Sequence, residues 1–481
     1  MSRIVIIGGG PGGYEAALVA AQLDADVTLV EAEGPGGACV LTDCVPSKTF
    51  IASSEVMTGY RHNERFGIRS AGLEGVSVDA VAVNSRVKKL ALAQSADIQA
   101  KLVKAGVDVV QGRAQLGEDT LGHTHQVLIT PDKRETSVRS RAMAGRSDGQ
   151  AYAVDASMVL LATGATPRVL ASARPDGERV LDWRQVYDLT ELPEHLVVVG
   201  SGVTGAEFAS AYLAMGAKVT LVSSRERVMP HEDADAAMAI ERVFRERGMT
   251  ILNQSRAESV VNTGSGVLVT LADGRTVAGS HALMAVGAIP NTAELGLREY
   301  GVDVADGGYV TVDRVSRTNV PGIYAAGDCT GVLPLASVAA MQGRIAIWHA
   351  MGEAVAPLRL RTVSANVFTD PELATVGVSQ NDVDAGRVQA RQVMLPLSGN
   401  ARAKMADLHD GFVKLFCRPA TAQIIGGVVV APKASELILP ITMAIENNLT
   451  VDQLAHTITI YPSLSGSIAE AARQLMQHEL Q

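Results

Sequence analysis

Cysteine is scarce in this chain, with four in 481 residues. Two of them, Cys329 and Cys417, stand alone, so no extracellular disulfide framework can be drawn. Aromatic residues make up only 4% and charged residues 19%, against 47% hydrophobic residues and 46 glycines. That balance excludes a disordered or fibrous protein and suits an Ala/Val/Gly-rich α/β chain. Positive charge is in deficit: a net charge of −9 argues against nucleic acid or an anionic membrane surface as the main partner. No stretch approaches the ~18 apolar residues of a membrane span. The opening apolar run, Ile4 to Ile7, is too short for a signal-peptide core. The expectation is a soluble, cytoplasmic protein without stable membrane insertion, long enough for roughly two to four domains.

The stretch Gly36 to Lys48, GGACVLTDCVPSK, holds the other two cysteines, Cys39 and Cys44, five residues apart. On an ideal helix that spacing leaves them ~140° apart around the axis and ~7.5 Å along it. A bridge needs α-carbons within ~7 Å, so it requires a distorted first turn, and strained bridges are the easily reduced ones. A redox pair is the preferred reading; the alternative is two inert small hydrophobes at a helix start. No His or third Cys lies close by to complete a tetrahedral metal site, so no metal is expected. Gly36 and Gly37 would let a planar group approach the backbone, and Lys48 sets a cation one short helical stretch away.

Arg3 to Ile7 reads as a buried strand ending at Gly8-Gly9-Gly10-Pro11-Gly12-Gly13. Gly8, Gly10 and Gly13 fit G-x-G-x-x-G, an Ala-rich helix follows from Tyr14 to Leu23, and a second strand runs from Asp26 to Glu31. Such glycines let a pyrophosphate approach a helix N-terminus, and Glu31 would accept hydrogen bonds from an adenosine ribose. A long helix is expected near Asn84 to Ala105. A strand from Val107 to Gln111 then leads into Gly112, and a polar insertion spans Arg134 to Asp148. The strand Met158 to Leu161 precedes Ala162-Thr163-Gly164.

The opening pattern then recurs. Val197 to Val199 runs into Gly200-Ser201-Gly202-Val203-Thr204-Gly205, 192 residues after the first fingerprint, and a strand Lys218 to Val222 follows its helix. Here the second strand ends in Ser223-Ser224-Arg225, with Arg227 close by and no acid at the ribose position. Hydroxyls and a guanidinium suit a 2′-phosphate, which favours NADPH; the alternative is a solvated turn. Ala285-Val286-Gly287 follows, then GIYAAGD, in which Asp328 ends a strand at a crevice where a polyol hydroxyl could bind; a turn cap is the alternative. The helix expected from Leu335 to Met351 would direct its N-terminal amides at negative charge developing on a bound group. After a linker at 352–361, the tail alternates strands (Phe412 to Cys417, Ile424 to Val430) with helices (Ser435 to Asn447, Ser467 to Glu479).

Together these motifs resemble the flavoprotein disulfide reductase family, which includes dihydrolipoamide dehydrogenase and glutathione reductase. The resemblance runs through both fingerprints, the Cys-x4-Cys-x-Pro-Ser-Lys stretch, Ala162-Thr163-Gly164, GIYAAGDC and VFTDPELATVG at 367–377. It implies an α/β fold with two Rossmann-type dinucleotide-binding domains and a C-terminal α+β dimerisation domain. The implied segments are 1–165 for the FAD domain, 166–286 for the NAD(P) domain, 287–356 for the return to the FAD domain and 357–481 for the interface. The implied FAD residues are Gly8, Gly10, Gly13, Glu31, Gly112, Thr163, Gly164, Asp328 and Ala336. Those for NAD(P)H are Gly200, Gly202, Gly205, Ser223, Arg225 and Gly287. The resemblance also implies a homodimer, Cys44 as the flavin-facing thiol, Cys39 as the interchange thiol, and Lys48 beside the flavin N5, paired with Glu207. A cation there favours hydride arrival at the ring.

The departures from that pattern bear on function. Disulfide-reducing members carry His-Pro-x-x-x-Glu near the C-terminus, donated across the dimer as acid/base for the thiol. This chain has Tyr461-Pro462-Ser463-Leu464-Ser465-Gly466, and Ser337 where many relatives have a His. A phenol with a pKa near ~10 is a poor base at neutral pH, and losing a general base typically costs roughly 10²–10⁴-fold. Electron transfer from NAD(P)H through FAD to a quinone-like acceptor needs none of the missing groups. The expectation is therefore an NAD(P)H:quinone reductase, in which Tyr461 either hydrogen-bonds the quinone or packs in the interface. The alternatives are a dihydrolipoamide dehydrogenase using another base, a transhydrogenase, and a flavin redox sensor without turnover.

Overall fold

The strand Arg3–Ile7 is buried along almost its whole length, as its unbroken Ile/Val run requires, and seeds a seven-stranded sheet. The structure is a computed structural model describing residues 2–61, 63–68, 76–117, 124–132 and 150–477. The insertion expected at Arg134 to Asp148 lies outside the described residues, as do the last two residues of the helix expected from Ser467 to Glu479. The chain divides into two compact units. The first comprises residues 1–49, 84–168 and 287–358; the second comprises 50–83, 169–286 and 359–481.

In the first unit Arg3–Ile7 pairs in parallel with Asp26–Glu31 on one side and Met158–Leu161 on the other. Ile323–Ala325 and Asp108–Leu116 extend the parallel part, and His125–Pro131 and Tyr152–Ala156 add an antiparallel edge. The chain moves one way from the first strand to the second and the other way to Met158–Leu161. That reversal opens a crevice at the carboxyl ends of the two central strands, where ligands of doubly wound folds bind. The helices Pro11–Gln22 and Ala336–Ala350 cross closely, because a Cβ on Gly343 would strike the Gly12 carbonyl.

The second unit repeats the plan in a five-stranded parallel sheet, ordered Thr250–Leu252, Lys218–Val222, His195–Val199, His281–Met284, Val180–Asp182. Its reversal lies between His195–Val199 and His281–Met284. An antiparallel sheet of five strands in the tail, Ser364–Val367 to Ile424–Ala431, packs its own core around Leu415, Val429 and Ile441. The tail helix expected over 435–447 is two helices, Ala434–Leu437 and Leu439–Glu446, with Pro440 in the first turn of the second. Proline has no N–H to continue the ladder, so it restarts the helix there. Within this unit Lys414, 1% exposed, bonds Asp233 Oδ2 at 3.0 Å and Asp235 Oδ2 at 2.8 Å. It ties the tail sheet to the start of the helix Ala234–Glu246, where Asp233 also caps the first amides. Among the described residues no helix is long and apolar enough to cross a membrane.

Candidate functional site

At the first crevice the backbone turns at Gly8, with φ at 105°, and a side chain there would collide with the Ala162 carbonyl. A side chain at Gly13 would strike the Gly8 carbonyl, so strand and helix meet only because both positions are glycine. Gly10 differs: its Cβ would meet no described atom within 4 Å. Gly10 caps the helix without a side-chain hydrogen bond; Pro11 has no N–H and the amides of Gly13 and Tyr14 donate to the Gly10 carbonyl at 2.9 Å, so the Gly12 amide is the first-turn donor left for a ligand. These residues fit the pyrophosphate of a dinucleotide. Glu31, 9% exposed, accepts hydrogen bonds from the amides of Gly9 and, at 2.8 Å, Glu33. Burial raises its carboxyl above the ordinary range against the pull of those amides.

Gly36 has φ of 99° and its amide donates to the Gly9 carbonyl at 2.8 Å. A Cβ on Gly37 would lie 2.9 Å from Gly10 Cα. The close approach expected of a planar ligand at Gly36-Gly37 is thus made, in this structure, by the glycine turn itself. It brings the cysteines to the crevice. They do not share one distorted turn. Cys39 lies in the helix Gly37–Leu41, the chain breaks at Thr42 and Asp43, and Cys44 opens the helix Cys44–Arg61. Both are free thiols, half-buried and hydrogen-bonded to each other. The bond accepted from Cys44 pulls Cys39 below its ordinary value, while burial opposes; the same bond, then burial, pushes Cys44 far upward. The pair therefore holds one negative charge in preference to two. Lys48 and Asp328 both act on Cys39, with opposite sign.

Asp328 follows the strand Ile323–Ala325 in a single 3₁₀ turn, and burial raises its carboxyl. Hydroxyl donors from a polyol would relieve that desolvation. Sequence reasoning missed what holds this turn. Gln342, 1% exposed, accepts from the Gly327 amide at 2.9 Å and reaches Thr330 Oγ1 at 3.4 Å. A glutamine in an Ala-rich helix carries no recognisable signal. Thr163 and Gly164 are clamped to Asn291 by three hydrogen bonds of 2.7, 2.9 and 3.0 Å. Gly287 accepts from the Arg168 amide at 2.9 Å. Gly112 sits inside the sheet, where a side chain would strike the Thr130 carbonyl, so its glycine answers to strand packing. Ala336 opens the helix Ala336–Ala350, which also lacks a side-chain cap, and Ser337 beside it is exposed.

The second crevice is built the same way. Gly200 has φ of 110° and would clash with the Ala285 carbonyl, Gly205 packs on the Gly200 carbonyl, and Gly202 faces open space at an uncapped helix start. These residues also fit a dinucleotide. Ser223 corrects the expectation of a hydroxyl offered to a 2′-phosphate. It is fully buried, bonded to Ser201 Oγ at 2.7 Å and to the Arg225 amide at 3.1 Å. Ser224 and Arg225 are exposed. Glu207, 3% exposed, accepts from the Phe368 amide at 2.9 Å. Tyr461 is 84% exposed, in line with Ile458 at 99% and Ile460 at 80%. Gly466 opens the helix Gly466–Gln477.

Residues 2–343 match the family described as pyridine nucleotide-disulphide oxidoreductase, and residues 363–472 match its dimerisation domain. The chain is 56% identical to a Mycobacterium tuberculosis protein named NAD(P)H dehydrogenase (quinone), over 100% of this chain and 95% of that one. Identity to the dihydrolipoyl dehydrogenase of Chlorobaculum tepidum is 33%, over 98% and 97% of the two chains. The crystal structure of LpdA from Mycobacterium tuberculosis superposes with a TM-score of 0.91 at 56% identity, covering 99% of this chain and 100% of that chain.

Proposed function

The chain belongs to the pyridine nucleotide-disulphide oxidoreductase family, and on that premise we propose that it is an FAD-dependent NAD(P)H:quinone reductase acting as a homodimer. The supporting observation is the residue at position 461. Where disulfide-reducing members place an imidazole, this chain places the exposed phenol of Tyr461, and Gly466 replaces the carboxylate that would orient that imidazole. The full-length similarity to a protein named as a quinone-dependent dehydrogenase agrees with it.

Bound in the two crevices, FAD and NAD(P)H supply the two-electron chemistry. The protein's own residues hold and orient. Gly8, Gly10, Gly13 and the Gly12 amide would hold the FAD pyrophosphate, with Glu31 and Asp328 as acceptors for hydroxyl donors. Gly200, Gly202 and Gly205 do the same for the nicotinamide dinucleotide. Lys48 would be the cation beside the flavin, and Tyr461 of the partner subunit would offer a hydroxyl to a quinone oxygen. Arg225, with Ser224 beside it, favours NADPH. The intact, hydrogen-bonded Cys39–Cys44 pair supports a second reading, dithiol exchange of the dihydrolipoamide type with another base.

Steady-state NADPH oxidation with benzoquinone, naphthoquinone and lipoamide separates the two readings. The quinones should turn over fast and lipoamide at least ~10²-fold more slowly. Rapid lipoamide turnover would sink the quinone reading. Cys44→Ser should keep most quinone reduction while losing any long-wavelength charge-transfer band.

A further inference from the structure

The loop after the strand Lys218–Val222 is held in one shape from several sides. The Gln254 amide donates to the Arg225 carbonyl at 2.8 Å, and the Met229 amide donates to the Ser201 carbonyl at 2.8 Å. Between those points lies Val228, whose amide donates to Glu241 Oε2 at 3.2 Å. Glu241 belongs to the helix Ala234–Glu246 and is 14% exposed. Its other oxygen, Oε1, accepts from Asn253 Nδ2 at 2.8 Å and from Arg245 Nε and Nη2 at 3.2 and 2.8 Å. All four of these donors come from the chain, three on Oε1 and one on Oε2, which makes Glu241 a hub joining loop and helix.

What the hub holds is a short run with two guanidinium groups. Arg225 is exposed, and the Nε of half-buried Arg227 is buried without a hydrogen-bond partner among the described residues. That Nε is closed to solvent, so an anion would meet the Arg227 guanidinium at its Nη groups. Glu226 between them is exposed.

We infer that Glu241 is a positioning residue for cofactor selectivity: by fixing the Val228 amide it holds Arg225 and Arg227 where a phosphate monoester on the adenosine ribose can bind both. The inference rests on the NADPH reading above and adds the residue that sets it. Glu241 touches no part of the cofactor. Its effect passes through the preorganisation of the loop, which removes an ordering cost from phosphate binding.

The test compares kcat/KM for NADPH and NADH on flavin-loaded enzyme, alongside inhibition by adenosine 2′,5′-bisphosphate and by 5′-AMP. Wild-type enzyme should prefer NADPH and bind the bisphosphate more tightly. Glu241→Ala should lower the NADPH/NADH ratio about tenfold through KM for NADPH, the scale of one hydrogen bond to a charged group. The NADH kcat should hold. Glu241→Asp keeps the charge but withdraws it by one methylene, and should match Ala; Glu241→Gln keeps an oxygen for Val228 and should retain most of the selectivity. An unchanged ratio in folded Ala and Asp variants overturns the inference, as does an equal loss with both cofactors. A wild-type enzyme indifferent to the 2′-phosphate instead overturns the NADPH reading, and the clamp with it.

Discussion

At Gly8 and at Gly200 the chain turns with φ of 105° and 110°, and at each a carbonyl from the neighbouring strand, Ala162 or Ala285, forbids a side chain. Gly13 and Gly205 repeat the match one turn on, each against the carbonyl of the first glycine. Even the incoming bonds correspond: the Gly8 amide donates to Val30 at 2.8 Å and the Gly200 amide to Val222 at 3.0 Å. The two crevices differ after the second strand. One strand ends in a buried glutamate bonded to the glycine turn, the other in a buried serine with exposed Ser224 and Arg225 beyond it. The shared half is dictated by sterics. The differing half is where each crevice can choose its partner.

The largest expected effect breaks the shared half one crevice at a time. Gly13→Ala and Gly205→Ala both force a Cβ into a carbonyl, an overpacking of ~1–3 kcal/mol or more at a site that cannot relax. Gly13→Ala should purify largely without flavin. Gly205→Ala should keep its flavin and lose NAD(P)H use, read as a KM raised by roughly tenfold or more. Full flavin content in the first, or an ordinary KM in the second, would show that the turns are not equivalent.

Ion pairs sharpen the comparison next. In the second unit Lys414 and Asp233 are each 1% exposed, whereas in the first unit Arg344 and Glu15, 2.7 Å apart, are 35% and 23% exposed. Lys414→Met leaves a buried carboxylate unpaired and should cost about 3–5 kcal/mol. Arg344→Met should stay within about 1 kcal/mol, because solvent screens that pair. Chemical denaturation of the two variants measures both. Equal losses would mean that burial does not separate them.

The smallest effect concerns the sulfurs, which only the first unit has at its crevice. Cys39 lies below the ordinary thiol value of 9.0 chiefly because Cys44 donates to it. Cys44→Ala removes the donor, so the Cys39 pKa should rise and the pH midpoint of its alkylation should move upward. An unmoved midpoint would leave Lys48 and the local field as the cause.

The sequence made the shared half legible because glycine spacing is a steric code: strand, turn and helix follow from where a Cβ cannot fit. The strands Arg3–Ile7, Met158–Leu161 and Lys218–Val222 have the bounds their apolar runs predict. The break between the cysteines was not legible, since nothing in Cys-x4-Cys says whether the helix continues. Ser223 read as a ligand because its type suits phosphate, while its burial depends on Ser201, 22 residues away. Gln342 and Glu241 were missed for the same reason: each acts on a loop distant in sequence. Lys414 did leave a trace, as a lone cation in the apolar strand Phe412–Cys417.

The four cysteines fall into two classes of depth: Cys39 and Cys44 are half-buried at the crevice, while Cys329 and Cys417, one in each unit, are wholly enclosed. A colorimetric thiol reagent added to the reduced, intact protein should therefore count two sulfurs quickly, and the remaining two only as each unit opens. The slow part of that reaction is an internal gauge of wholeness that needs neither cofactor nor substrate.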